Sequence, residues 1–194
     1  MDLRTAATEL REQHGLDLEE EEAYRLLNEA NRELCVRGEW TRRRVALTSG
    51  DPLPDDVHRI IRATVGGREA VQIDELTAAE LDHTLLQVRT VYWIATDDDG
   101  RDRIYARPVL PVAALAVVAP PGLGPDDEFT PPADFHRACI NYVRAVSYGG
   151  SEDHAELEAA CSQAFESEVD RLRRLRLSRG GRGRVAMRVR GRTA

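Results

Sequence analysis

From Phe135 to Leu175 the apolar residues return at the spacing of an α-helix, with one interruption at Gly149-Gly150. Phe135, Ala138, Cys139, Tyr142, Val143 and Val146 make one stripe; Leu157, Cys161, Ala164, Phe165, Val169, Leu172 and Leu175 make the next. Ser151 is placed to cap the second helix, and Glu152 and Asp153 load its first turn, where the positive end of the helix dipole favours carboxylates. Two such stripes joined by a two-glycine turn predict an antiparallel helical hairpin ending near Leu177. Proline and glycine in PPGLGPDDEFTPP hold the preceding stretch as a loop.

The N-terminal end has the same period. Leu3, Ala6, Ala7 and Leu10 share one face of a short helix that Gly15 stops. A second helix carries Ala23, Leu26, Leu27, Ala30 and Leu34 and ends at Gly38. Asp17 with Glu20 fits a capping pair, and Glu19 to Glu22 fit a first turn held by the dipole better than they fit a metal site.

Between these ends the period changes to two. Short β-branched runs bounded by Gly, Pro and Asp predict strands over 44–48, 59–65, 70–73, 91–96 and 103–107, with a last one in VAALAVVA. Asp99-Gly100 reads as the turn of a hairpin, and TAAELDH as one or two helical turns capped by Thr77. The acids at 97, 98, 99 and 102 lack the Gly and Glu spacing of a calcium loop, since Asp102 and Pro108 occupy those places. The expected fold is α+β. N-terminal helices (1–43) and a C-terminal helical hairpin (121–177) form an antiparallel helical bundle. A β-rich insertion (44–120) and an extended Arg-rich arm (178–194) complete it.

Composition narrows the function. At 42% apolar the 194-residue chain can fill a core, but 5% aromatics leave that core to Leu, Val, Ile and Ala. No apolar run approaches 18 residues, so no membrane span is expected. The start lacks the apolar region of a secretory signal, which predicts an intracellular product. Cys35, Cys139 and Cys161 form no CxxC pair and are expected to be buried, reduced thiols. Every basic residue is arginine, and the last 24 residues hold ten arginines and no acid. The first 170 residues therefore set 17 arginines against all 34 acids, an acidic body with a basic arm. The five histidines (His14, His58, His83, His136, His154) are dispersed, and no HExxH, GxSxG, P-loop or dinucleotide motif occurs. His136 is expected to be exposed or packed on the loop. No catalytic, cofactor or metal residues are assigned, and no enzyme activity is expected.

Three stretches, AYRLLNEANRELCVRGEW, ELTAAELDHTLLQVRTVYWIATDDDGRDRIYARPVLP and PPADFHRACINYVRAVSYGGSEDHAELEAACSQAFESEVDRLRRLR, occur in this order. Together they resemble the head-to-tail adaptor (connector) proteins of tailed bacteriophages over most of residues 1 to 177. The resemblance implies a structural virion protein of the neck, made in the host cytoplasm. It would form a homo-oligomeric ring of about 12 copies under the portal protein, extend the DNA channel and offer a docking surface to a stopper or tail-completion protein. Viral DNA would pass through without specific binding, and no membrane or cofactor would be involved.

An acidic body suits a channel that must pass DNA without gripping it. The arm then reads as an anchor on the portal or a neighbouring subunit, because arginine forks pair with carboxylates in bidentate fashion. Arg171, Arg174, Arg179, Arg182, Arg184, Arg188, Arg190 and Arg192 are the candidate partner-binding residues. VAMRVRGR alternates and could extend against a partner. Two other readings stand beside this one: a nucleic-acid-binding protein using the arm, and a different neck component such as a stopper or tail terminator. The free protein is expected to be a monomer.

Overall fold

A computed structural model describes residues 1–80 and 90–181. Its chain divides into two compact units, one of Met1–Trp40 together with the chain from Pro120 on, the other of Thr41–Ala119.

The first unit is helical. Helix α1 (Leu3–Glu12) starts at Asp2, whose carboxylate accepts from the Thr5 amide at 2.7 Å; that bond holds the Asp2 carboxyl below its usual range. Leu3, Ala6, Ala7 and Leu10 are fully buried. Helix α2 (Glu20–Arg37) buries the expected stripe, but the Asp17 cap is not made. Glu19 is the N-cap and forms no side-chain cap bond; the first-turn acids meet the positive end of the dipole, and Glu20 also accepts from the Tyr24 hydroxyl. Gly38 ends α2 where a methyl group would lie 2.6 Å from Leu172 Cδ2. Helices α4 (His136–Tyr148) and α5 (Ala155–Gly181) pack in opposite directions: Tyr142 meets Phe165 edge-on at 5.1 Å, while Phe135, just before α4, lies under Arg171. A single 3₁₀ turn, Glu152–His154, precedes α5, and Ser151 makes no side-chain cap bond. The backbone stays helical three residues past Ser178, because propagation from a helix nucleated by packing outlasts the cost of glycine.

The second unit is a six-stranded sheet in the order β1-β6-β2-β3-β4-β5. Its strands are β1 (Arg42–Leu47), β2 (Val57–Val65), β3 (Arg68–Gln72), β4 (Val91–Thr96), β5 (Asp102–Arg107) and β6 (Val112–Val118). All neighbours are antiparallel except β3 and β4, which are parallel and so need a crossover. Helix α3 (Glu75–Glu80) starts that crossover. Its cap is Asp74, which accepts from the Thr77 amide and hydroxyl at 2.7 Å each, and not Thr77 itself. The remainder of TAAELDH, residues 81–83, lies outside the described residues.

The sheet curls until the segment after β1 runs along β5. Gly50 N donates to Ile104 O at 2.7 Å, Ile104 N to Asp51 O at 3.1 Å, and Leu53 N to Asp102 O at 2.8 Å. Inside lie Ile60, Ala63, Val65, Ala70, Tyr92, Ile104, Ala106, Val112 and Ala114. Where the unit begins and ends, Val118 N donates to Thr41 O at 3.1 Å and the Thr41 hydroxyl returns to Val118 O.

The expected antiparallel helical bundle carrying a β insertion is therefore corrected. The fold is mixed, α+β in class, with a sheet that has a core of its own. The helices do not close their core alone either: loop residues Phe129 and Leu123 fill it with them. Helical periodicity marks which face of a helix is buried and says nothing of what covers it. Short α1 docks on that same loop, with Leu3 N donating to Asp127 O and Arg4 N to Pro125 O. Two α2 asparagines hold the loop as well. Asn28 Oδ1 accepts from Leu123 N at 2.7 Å and Nδ2 donates to Leu123 O at 3.0 Å; Asn31 Oδ1 accepts from Thr130 N at 3.0 Å and Nδ2 donates to Thr130 Oγ1 at 3.2 Å.

Candidate assembly surfaces

The basic C-terminal segment begins as part of α5. Arg171 is held by its own chain: its guanidinium meets Glu168 at 2.9 Å and Asp134 at 4.0 Å, and sits 4.6 Å from the centroid of the Phe135 ring. Arg173 donates to the Arg37 carbonyl at 3.0 Å. Arg174 is exposed. Arg179 lies on the last turn of α5, and Arg182, Arg184, Arg188, Arg190 and Arg192 lie outside the described residues, as does VAMRVRGR. Among the described residues Arg171 and Arg173 are thus engaged within their own chain, while Arg174 is exposed.

His136 is buried and packed on the loop, the second of the two places expected for it: Nε2 meets the Pro131 carbonyl at 2.9 Å, Nδ1 the Met1 amine at 3.1 Å, and the ring tilts against Phe129. Burial holds its pKa below the usual histidine value, against the opposing bond to Pro131. His14 lies beside Glu9 at 3.6 Å and is lowered by burial and then by Arg144. His58 is exposed, His154 tilts against Tyr148, and His83 lies outside the described residues. The three cysteines are free and buried, and burial pushes the Cys35 thiol up to about 12 and Cys139 up as well. Among the described residues no group of three or more His, Cys, Asp or Glu is placed to hold a metal. In the β4–β5 turn the acids serve Arg103, which meets Asp97 at 2.7 Å and Asp99 at 3.0 Å.

The sheet carries features that reading the sequence missed. Residues 113, 115 and 117 of β6 point away from the core that Val112 and Ala114 enter. Across this outer face Arg44, Leu115 and Arg62 stand in register, and Arg42, Val117 and Arg59 form the next row. An open depression of about 410 Å³ lies between Arg44 and Arg62, floored by Ala113 and Leu115. Alternation in β1 could have placed Arg42 and Arg44 together; the register irregularities in β2 hide Arg59 and Arg62 from any fixed period. On the outer face of β4 and β5, Trp93 stacks on Tyr105 at 5.6 Å with Arg107 above the indole. At the β5–β6 turn Val109 is 73% exposed and Leu110 43%. Leu110 lies on Gly66, where a Cβ would come within 2.6 Å of its Cδ1. Gly66 also has φ +56, so glycine is required there twice over. No helix among the described residues is long and apolar enough to cross a membrane.

A search of curated proteins finds no match. A family model does match, over residues 2–190, and it is described as SU10 adaptor protein. That match takes in nearly the whole chain, so the chain belongs to this family of phage head-to-tail adaptors, structural proteins of the virion neck that join other capsid and tail components.

Proposed function

We propose that the chain forms a ring of about a dozen copies beneath the portal protein, extends the DNA channel there and presents a surface to a stopper or tail-completion protein. The observation that carries this reading is the family match over residues 2–190. The charge supports it: with 34 acids against 17 arginines before residue 171, the body repels a passing duplex. Arg174 and the arginines from Arg179 to Arg192 then serve as the anchor on the portal or on a neighbouring copy, paired with carboxylates. Arg171 is already engaged within its own chain and positions the start of that anchor.

Native mass spectrometry of the purified protein, alone and mixed with the portal ring of the same phage, tests the reading. The expected result is a monomer that joins the portal at about one copy per portal subunit. A dimer that ignores the portal and shifts a DNA duplex would refute it. In that case affinity should fall with salt at a log–log slope of about -7, if eight arginines meet phosphates.

A further inference from the structure

The outer face of β1, β6 and β2 is a basic patch on an acidic molecule. Arg44 and Arg62 flank Leu115 in register, and both arginines are exposed. Arg44 has no ion-pair partner among the described residues. Arg62 meets Glu69 at 2.9 Å with both side chains more than half exposed, a contact worth little and easily exchanged. The helical unit is the opposite: residues 1–40 and 120–170 hold 22 carboxylates and seven arginines. Their densest run is Glu19–Glu22, four consecutive exposed acids at the start of α2.

We propose that the Arg44–Leu115–Arg62 face docks on the helical unit of a second copy, with Glu19–Glu22 of that copy facing the two arginines. The inference rests on the ring reading above and names the contact that builds the ring. The contact proposed is heterologous, head to tail, the geometry that the ring reading requires. A protein partner fits this face better than a duplex. Its centre is an apolar row of Ala113 and Leu115, which phosphates leave unused and an amphipathic helix end covers. Bidentate arginine–carboxylate pairs at its edges fix the register.

A charge swap tests it. Sedimentation velocity at low salt compares the wild type, Arg44→Glu/Arg62→Glu, Glu21→Arg/Glu22→Arg, and an equimolar mixture of the two variants. At concentrations far above those of the mass-spectrometry sample, in which the chain is a monomer, wild-type self-association that weakens as salt rises is expected. Each variant alone loses association by about tenfold or more, and the mixture regains it, since the swapped charges meet only between unlike copies. The regain also shows that both variants are folded. Wild-type chains that stay monomeric at their highest soluble concentration overturn the proposal, as does a mixture that stays dissociated. So does a duplex-DNA shift by the wild type that Arg44→Glu/Arg62→Glu abolishes while self-association is unchanged. Loading onto the portal ring separates the two levels. Arg44→Glu/Arg62→Glu chains that load in wild-type number sink this contact and leave the adaptor reading intact, whereas failure of the wild type to load sinks the adaptor reading.

Discussion

Replacing Asn31 by alanine should loosen the loop from α2 and destabilise the helical unit. Asn31 is 1% exposed and makes two bonds to Thr130, one to the backbone amide and one to the hydroxyl. Each such bond contributes about 1 kcal/mol net, and a stranded amide adds its own desolvation cost of about 1–3 kcal/mol. Thr130 is half-buried, so water meets part of that demand, and a total loss of about 2–4 kcal/mol follows. For a chain of this size that is a fall of roughly 4–16 °C in unfolding midpoint. Amide hydrogen exchange localises the effect: Thr130 N–H should exchange much faster in Asn31→Ala, while Leu123 N–H, held by Asn28, keeps more of its protection. Asn28→Asp is the sharper control. It keeps the acceptor for Leu123 N–H but turns a carboxylate oxygen toward the Tyr24 and Leu123 carbonyls that Nδ2 now serves. It should therefore destabilise about as much as Asn28→Ala. Unchanged exchange at Thr130 in Asn31→Ala, or a neutral Asn28→Asp, would refute the view that these asparagines hold the loop.

Three further outcomes are expected. Burial lowers the pKa of His136 and of His14 below their usual 6.5, so the unfolded chain binds more protons as pH falls below that value. Stability is full above pH 6.5 and is lost as pH falls through the folded values; His136→Gln should flatten part of that loss in equilibrium denaturation, and an unaltered profile counts against it. Gly66→Ala should cost about 1–2 kcal/mol from left-handed backbone strain, plus the clash with Leu110; Gly67→Ala, at φ +81 with open space, should show the strain alone. In denaturant titrations the Leu110→Ala background should narrow the difference between the two, and a constant gap would exclude the clash. Removing residues 182–194 should lower the yield of joined heads and tails; wild-type yield would deny the arm an assembly role.

How much of this was legible in the sequence depends on the range of each interaction. All six strands stand within about two residues of where period-two alternation put them, because each carries its own β-branched run. The stripes on α1 and α2 face the core as read, and those on α4 and α5 do so except at Val146 and Leu157, which are exposed. The caps were less secure. Asp74 displaced Thr77, and Asp17 and Ser151 stayed idle, because several oxygen-bearing residues near a helix start compete and tertiary contacts choose among them. The pairing of β1 with β6, and of β3 with β4 in parallel, is non-local and leaves no mark on either strand. Hence a bundle with an appendage was expected where two cores exist. His136 shares the stripe spacing of Cys139 and Val143, so its burial was readable in principle. Asn28 and Asn31 also carried a signal, as two amides three residues apart beside Leu27, Ala30 and Leu34. The basic face needed the register of three strands at once.

The bonds between Thr41 and Val118 have a consequence for how this chain can vary. The sheet unit is entered and left through one paired rung, so to the helices it is a closed loop whose mouth is set by a strand spacing and not by its contents. Insertions and deletions at the distant turns, near Gly66, Gly100 or Val109, leave that mouth unchanged. Loop-closure entropy grows only slowly with the length enclosed. The outer parts of the sheet are thus free to be remodelled for a different partner while the helical unit keeps the same span to bridge.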